Sequence, residues 1–203
     1  MGDVLKHAVI LAHPRVHSFT GSVADAYIRA VEALGHTTLK RDLYRMEFDP
    51  CLKAGELPFA PDFAPGADVQ AERALLGQCQ VFAFIYPLWL NAPPAILKGY
   101  LERVFGFGFA YGDGRHSAVA PRLTGRSLIS LSSSGGPTAW LQKTGSLPAV
   151  EALFDTYFAE LCGLGMLGHF HFGAITPGAS DTFIAARLQE VSQIVGTAFG
   201  HKS

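Results

Sequence analysis

Short apolar runs alternate with stretches of helical periodicity along most of this chain. Residues 81–86 form a continuous apolar run rich in β-branched and aromatic side chains, which is typical of a strand buried on both faces of a parallel sheet. Over residues 95–105, apolar side chains recur at helical spacing with charged side chains between them, which predicts an amphipathic helix. Pro93 and Pro94 precede it, where a missing N–H costs nothing. A buried strand therefore passes through a short loop into a helix.

The same alternation recurs before and after this central unit. Strands are predicted at residues 8–12, 37–43, 126–132 and about 169–175, and helices at about 23–34, 68–78, 148–161 and 180–199. Strands that alternate with helices indicate a doubly wound parallel α/β sheet with helices on both faces. Such sheets bind ligands in the loops that follow the carboxyl ends of their strands, so a site is expected in these loops.

Composition and charge exclude several classes of protein. A chain of 203 residues with 49% hydrophobic residues suits one well-buried domain, which we expect to span residues 1–203. The net charge is −1 and no lysine- or arginine-rich run occurs, so nucleic acid is not an expected partner. The longest apolar run, residues 81–90, is well below the roughly 18 residues that a membrane span needs. The first residues lack the pattern of a signal peptide, and a cytoplasmic location is therefore expected.

No metal site is predicted. The three cysteines are widely spaced, which favours buried reduced thiols over a zinc site or a disulfide framework. His13 and His17 precede a helix and lack an intervening carboxylate, so a metal is disfavoured there. His169 and His171 share one strand face, but no Cys, Asp or Glu stands near them in the sequence, which favours ordinary packing. Residues 163–168 spell G-x-G-x-x-G, but they leave a helix and enter a strand, so we interpret them as a helix end and turn.

Three strand-end loops carry candidate binding residues. In the first, Ser18 or Thr20 can cap the following helix, whose free N–H groups form a ready anion site. A serine at such a position is more often only a cap, and both interpretations stay open. The loop after residue 87 carries Trp89 and Asn91. Residues 133–136 read Ser-Ser-Gly-Gly, and small residues at a strand end let a planar ligand approach the backbone.

These same loops carry a resemblance to a known family. The segments AHPRVHSFT at residues 12–20, YPLW at 86–89 and PAILKGYLERVF at 94–105 resemble the flavin-binding core of the NAD(P)H:quinone oxidoreductases. The SSGG turn at residues 133–136 stands where that family usually shows TTGG. The resemblance runs from residue 8 to about residue 172, and its motifs are specific in combination. It implies a flavodoxin-like five-stranded sheet with strand order 2-1-3-4-5.

The resemblance also implies which residues hold the flavin. In the first loop, the phosphate and ribityl chain would be held by His13, Ser18, Phe19 and Thr20. After the central strand, the isoalloxazine ring would be lined by Leu88, Trp89, Leu90 and Asn91. The turn after the fourth strand would approach the ring through the backbone of Ser133, Ser134, Gly135 and Gly136.

The implied activity is flavin-dependent NAD(P)H dehydrogenation, with ping-pong hydride transfer through the flavin to a quinone or a similar acceptor. FMN is the expected cofactor because the long C-terminal extension of the FAD-binding animal enzymes is absent, and FAD is the alternative. A flavodoxin-type electron carrier or a regulatory flavoprotein subunit is the competing interpretation. Carriers are usually strongly acidic, so the net charge of −1 favours the enzyme. The family resemblance indicates a homodimer with the pocket at the subunit boundary, and so do the aromatic side chains of the loops at residues 58–63 and 105–111.

One part of the family's mechanism is not carried over. The tyrosine and histidine that follow the TTGG turn in the long animal enzymes are missing from residues 137–147. Tyr111 falls on a substrate-side tyrosine of those enzymes, which makes it the candidate catalytic side chain. We therefore expect hydride transfer to proceed by stacking geometry alone, with water or the flavin's own exchangeable N–H supplying protons. Tyr111 is the one candidate side-chain donor.

Overall fold

The computed structural model describes residues 3–58, 60–113 and 119–200. Its strands are β1 Lys6–Leu11, β2 Thr37–Asp42, β3 Val81–Pro87, β4 Tyr111–Gly112, β5 Ala120–Pro121, β6 Ser127–Ser133 and β7 Gly165–Phe172. Five of them form a parallel sheet in the order β2-β1-β3-β6-β7, and β4 pairs with β5 in a separate antiparallel ladder. The predicted order 2-1-3-4-5 of the sheet strands is confirmed.

Helices cover both faces of the sheet, as predicted. They are α1 Phe19–Ala33, α2 Ala67–Leu76, α3 Ala95–Val104, α4 Thr138–Lys143, α5 Ser146–Val150, α6 Tyr157–Cys162 and α7 Asp181–Phe199, with a 3-10 turn at Ala54–Glu56 and a π turn at Glu151–Thr156. Helices α1 and α7 bury their apolar sides in one core, and α2 to α6 contribute to the other. No helix within these described ranges is long and apolar enough to cross a membrane.

The central strand β3 separates these two cores. Each of its residues is buried, which is what its continuous apolar sequence predicts. Because side chains alternate along a strand, Phe82 and Phe84 pack in the core of α2 and α3, whereas Ala83 and Ile85 pack in the core of α1 and α7. β3 lies between β1 and β6, so the loops that follow these three strands are neighbours.

Strand β7 differs most from its prediction. It begins at Gly165, not near residue 169, because only Gly163 of the glycine-rich stretch ends the preceding helix, with a left-handed φ of 77°. Gly168 has a φ of 138°, and an irregularity in the pairing with β6 occurs beside it. Leu167 is the extra residue of this bulge. The interpretation of residues 163–168 as a helix end and turn is therefore correct only for their first part.

The helix predicted at residues 148–161 is also more complex than its apolar pattern indicates. It runs as α5, the π turn and α6 without a break from residue 146 to residue 162. A π turn adds one residue to the helical repeat and changes which side chains face the sheet. Asp155, in this turn, is buried as a result.

A buried histidine lies on β1, under the end of α7. The His7 side chain has no exposure, and its Nδ1 lies 2.8 Å from Tyr27 Oη. Its Nε2 has no hydrogen-bond partner among the residues that the structure describes. Burial, with a smaller contribution from neighbouring His36, lowers the pKa of His7 to about 4. The folded chain therefore holds His7 neutral.

This burial predicts acid sensitivity of the fold. In the unfolded chain His7 has its ordinary pKa of 6.5, so the unfolded state binds more protons as pH falls from about 6.5 to about 4. We expect the free energy of unfolding, measured with urea, to fall over this window. His7→Asn, which keeps a polar atom near Tyr27, should make the fall shallower. The exposed His17→Asn serves as the control, and equal slopes in both variants would contradict the assignment.

Candidate functional site

A cleft opens where the loops after β1, β3 and β6 converge at the carboxyl edge of the sheet. It encloses about 530 Å³. Of the predicted cofactor residues, those that line it are His13, Ser18, Phe19, Thr20, Leu88, Trp89, Ser133, Ser134 and Gly135. The structure thus brings together residues from all three loops singled out in the sequence.

The first loop presents backbone donors to the cleft. Ser18 caps α1, its Oγ accepting the Gly21 N–H at 3.1 Å. The N–H groups of Phe19 and Thr20, in the same first turn, have no acceptor within the helix. Thr20 Oγ lies 3.3 Å from Ser133 Oγ, which links this turn to the end of β6. Ser18 is therefore a cap, and the turn that it caps places free N–H groups at the wall of the cleft.

A cationic residue lines the same cleft. Arg15 lines the cleft and was not among the predicted binding residues. Its backbone N–H donates to His13 Nδ1 at 3.1 Å. Burial is the main cause that lowers the pKa of His13, which favours the neutral ring. Arginine next to helix N–H groups is a common way to bind phosphate, so the sequence AHPR carried a signal for Arg15.

The loop after β3 is a strained turn. Trp89 and Ala92 exchange hydrogen bonds of 2.9 and 3.1 Å, and the two residues between them, Leu90 and Asn91, have φ values of 52° and 57°. Two left-handed central residues define a type I′ turn, which disfavours leucine. The Leu90 side chain is 104% exposed. Within one chain, Leu90 and Asn91 do not line the cleft, and Asn91 Nδ2 donates to Ser146 O at 3.0 Å.

The turn after β6 has room for a ligand. A Cβ built on Gly135 would meet nothing closer than Ile175 O at 3.8 Å, and the φ of Gly135 is not left-handed. By contrast, a Cβ on nearby Gly173 would lie 2.4 Å from Thr138 N. Packing explains the glycine at 173, whereas no contact with the described part of the chain requires a glycine at 135. Gly136 does not line the cleft. Its carbonyl accepts the Ala174 N–H at 3.0 Å.

The cleft is completed by a segment that the sequence did not indicate. It contributes Ile175, Thr176, Pro177, Ala179 and Ile184. The fifth strand was predicted to reach residue 175, whereas β7 ends at Phe172, so Ile175 was placed in that strand and Ile184 in the following helix. The residues between β7 and Ser180, which caps α7, form a loop that reaches the cleft.

Tyr111 lies elsewhere in the single chain. It borders a separate groove of about 200 Å³ between α3 and the helix that carries the π turn. This groove is lined by Lys98, Leu101, Glu102, Phe105, Gly106, Tyr111, Leu153, Phe154, Tyr157, Phe158 and Leu161. Burial raises the pKa of Tyr111, which keeps the phenol protonated. A catalytic role for Tyr111 stays a prediction.

The two histidines of β7 are not simply packed. Asp155 Oδ2 lies 2.5 Å from His169 Nδ1, so the interpretation of these histidines as ordinary packing was wrong. Asp155 is remote in the sequence, and the π turn brings it to the strand. His171 Nε2 lies 3.0 Å from Ser134 Oγ, at the wall of the cleft. Polar side chains of β7 therefore extend from the buried Asp155 to the wall of the cleft at Ser134.

A parallel sheet of this order, with a cleft where the strand order reverses, defines the flavodoxin-like class. The chain belongs to the family described as having a flavodoxin-like fold, whose profile matches residues 5–195.

Several known proteins that resemble the chain are oxidoreductases by name. It is 40% identical over 108 residues to an uncharacterized NAD(P)H oxidoreductase of Haemophilus influenzae, covering 53% of this chain and 54% of that one. It is 33% identical over 138 residues to the glutathione-regulated potassium-efflux system ancillary protein KefG of Yersinia enterocolitica, covering 68% and 62% of the two chains. The alignments span about half the length of the first curated relatives.

Among solved structures, an NAD(P)H:quinone oxidoreductase from Methanothermobacter marburgensis superimposes with a TM-score of 0.86 at 26% identity, over 95% of this chain and 98% of that one. An FMN-dependent NADH-azoreductase from Bacillus anthracis, solved in complex with FMN, superimposes with a TM-score of 0.65 over 96% and 99% of the two chains. Its 15% identity shows a shared fold alone.

The strained turn after β3 gives a prediction on stability. Leu90→Gly removes a side chain from a left-handed position and should raise the free energy of unfolding by about 1 kcal/mol, as measured with urea. Leu57→Gly is the matched control, because Leu57 is also an exposed loop leucine but has an ordinary φ of −72°. It should give no gain. An equal gain in both variants would show that the strain of the turn is not the cause.

Proposed function

We propose that the cleft binds a flavin, FMN in the first place and FAD as the alternative, and that the loaded protein oxidises NAD(P)H and reduces a quinone or a similar acceptor. The observation that carries the proposal is the open side of Gly135, where the chain leaves space without a packing reason. The names of the relatives, which are NAD(P)H oxidoreductases and quinone reductases, support the same activity.

The residues present fit the parts of a flavin nucleotide. The free N–H groups of Phe19 and Thr20, with the Arg15 guanidinium, suit a phosphate. Leu88 and Trp89 offer apolar and aromatic surface to one side of a flat ring. The small Gly135 allows such a ring to approach the backbone. When bound, a flavin supplies two-electron transfer between NAD(P)H and the acceptor, whereas the chain supplies binding and orientation.

The remaining parts of the proposal concern location and the competing function. A cytoplasmic location goes with NAD(P)H as the reductant. An electron carrier would use the same cleft, and the net charge of −1 argues against it, because carriers dock on their partners by a strong negative charge.

The spectrum of the purified protein tests the proposed function. We expect flavin absorption bands that NAD(P)H bleaches without another protein and that a quinone then restores. Bands that bleach only when a separate reductase is added would support the electron carrier instead. A colourless protein that takes up neither FMN nor FAD would overturn the proposed function.

A substitution at Gly135 tests the position of the flavin. Gly135→Val places a branched side chain at the open wall of the cleft, where the chain itself has room for it. We expect the unfolding midpoint to stay unchanged and flavin affinity to fall by about tenfold or more, which corresponds to about 1.4 kcal/mol. Gly55→Val, whose Cβ would meet only Asp62 O at 4.0 Å, is the control away from the cleft. Full flavin occupancy in Gly135→Val would show that the site is misplaced.

We also propose that the chain forms a homodimer through the groove that contains Tyr111. Leu153 and Tyr157 line this groove and are 70% and 64% exposed, which is unusual for large apolar side chains on one patch. The predicted role of Tyr111 needs such an assembly, because within one chain Tyr111 lies outside the cleft.

Light scattering measures this assembly directly. We expect a mass of about twice 21.8 kDa at micromolar concentration, and a mass near 21.8 kDa for Leu153→Asp, whose charge has no partner in an apolar interface. Val16→Asp, an exposed apolar side chain outside the groove, should leave the dimer intact. A monomeric unmodified chain would contradict the proposal.

A further inference from the structure

A continuous chain of hydrogen bonds leads from a buried carboxyl group to the cleft. We call its five side chains the histidine chain: Asp155, His169, Ser132, His171 and Ser134. Asp155 Oδ2 lies 2.5 Å from His169 Nδ1, and His169 Nε2 lies 2.5 Å from Ser132 Oγ. Ser132 Oγ is also 2.8 Å from His171 Nδ1, and His171 Nε2 is 3.0 Å from Ser134 Oγ.

Three features of the fold align the five side chains of the histidine chain. In the β6–β7 ladder, Ser132 lies opposite His171, and Ser130 opposite His169. The bulge at Leu167 produces this register, since without the extra residue the histidines would fall on the other face of the sheet. The π turn then directs Asp155 to His169, and single π turns in helices are frequent at functional sites.

The donor and acceptor of each hydrogen bond can be assigned in turn, starting from Ser134 at the cleft. Ser134 Oγ lies 3.0 Å from Gly136 O, and a carbonyl oxygen only accepts, so the single hydroxyl proton of Ser134 is donated there. His171 Nε2 must therefore donate to Ser134 Oγ. Burial, and then the neighbouring His169, lower the pKa of His171 to about 4, so its ring is neutral. His171 Nδ1 consequently accepts the hydroxyl proton of Ser132.

The same count of protons assigns the remaining hydrogen bonds, as far as the buried Asp155. The Ser132 hydroxyl proton is already used, so His169 Nε2 must donate to Ser132 Oγ. The 2.5 Å contact between His169 Nδ1 and Asp155 Oδ2 also requires a proton, since two lone pairs would repel. Ser130 Oγ, outside the histidine chain, donates to Asp155 Oδ1 at 2.5 Å. The Asp155–His169 pair thus holds one proton more than a neutral imidazole beside a carboxylate.

We propose that the histidine chain stores this proton at the Asp155–His169 pair and releases it at Ser134 Oγ to the group bound in the cleft. This inference rests on the proposed function. Ser134 is the residue that meets the bound group, and Ser132, His169, His171 and Asp155 act through it as positioning residues.

The proton transfer balances. NAD(P)H, one proton and a quinone give NAD(P)⁺ and a hydroquinone, so each turnover brings one proton to the cleft. Hydride passed from NAD(P)H to the acceptor through a bound flavin would leave the acceptor with one negative charge. The hydroxyl proton of Ser134, once turned from Gly136 O to the bound group, would neutralise this charge. Ser134 then takes the Nε2 proton of His171, His171 Nδ1 takes the proton of Ser132, and Ser132 takes that of His169. The pair is left as a neutral imidazole and a carboxylate, and a solvent proton refills it.

Titratable groups face His169 from each neighbouring element. The π turn supplies Asp155, and β7 itself supplies His171. From β3, the Tyr86 ring packs edge-on against His169, with 6.3 Å between the ring centroids. Burial, together with the charges of Asp155 and Glu151, raises the pKa of Tyr86, so its phenol stays protonated. Asp155 is therefore the acidic group that faces His169 directly.

Nitrogen NMR of the flavin-free chain tests where the protons lie. At about pH 7.5, with ¹⁵N-labelled histidine, we expect both His169 and His171 to carry a proton on Nε2, and His169 Nδ1 to show a strongly deshielded shared proton. Protons on Nδ1 of both rings with bare Nε2 atoms would mean the opposite bond direction and would overturn the proposal. This measurement needs no cofactor and no activity.

Stopped-flow reoxidation of the loaded enzyme by a quinone tests the release of the proton. Ser132→Ala interrupts the histidine chain and should slow reoxidation about tenfold or more at pH 8, with little loss at pH 5, where solvent protons are abundant. Ser132→Thr restores a hydroxyl and should restore the rate at pH 8. Ser127→Ala, on the same strand outside the histidine chain, should leave the rate within about twofold at both pH values.

Two results would overturn the release step. One is a loss in Ser132→Ala that is the same at pH 5 and pH 8 and is not restored by Ser132→Thr, since that is a structural effect. The other is an unchanged rate in Ser132→Ala. A protein that binds no flavin would overturn the release step together with the proposed function, whereas reversed proton positions in the NMR experiment would overturn this inference alone.

Discussion

The parallel pairing of β3 with β1 and β6 is the constraint on which the site depends. The pairing of β1 with β3 begins with His7 opposite Val81, and the pairing of β3 with β6 ends with Pro87 opposite Ser133. Beyond the strand ends, the Leu88 N–H donates to Ser133 O at 2.7 Å. Because the strands end together, their loops meet at one edge without any long connection. A shift of one residue would exchange the two cores and would separate the cleft residues.

The segment with the most specific resemblance, residues 94–105, supports this arrangement mainly by packing. A Cβ on Gly99 would lie 2.1 Å from Pro50 O, so only glycine allows the close approach of this loop. Tyr100 Oη donates to Glu72 at 2.5 Å in the core. Arg103 is buried and forms ion pairs with Glu56 and Asp68, each at 2.7 Å. A motif that identifies a flavin-binding family can therefore be explained without contact to a flavin.

The sequence was sufficient for the sheet and for most of the cleft, because both depend on local patterns. The apolar run of β3 and the small residues at 133–136 could be recognised one segment at a time. The Asp155–His169 contact could not, since it depends on a π turn and a β-bulge, each of which inserts one residue into a regular repeat. Tyr111 was assigned by analogy, and a single chain cannot place it against a cleft formed by other elements.

The histidine chain is difficult to explain as a device for stability. Ser130 and Ser132 have almost no exposure, although the residue directly before each of them along β6 is apolar. Replacing paired buried polar groups by apolar ones of similar shape is often neutral or stabilising, because each hydrogen bond only offsets the desolvation of its partners. A fold that needed only packing would be served by leucine or valine at these positions. The polar groups form a line from the core to the cleft, and transfer of charge along that line is a task that apolar side chains cannot perform.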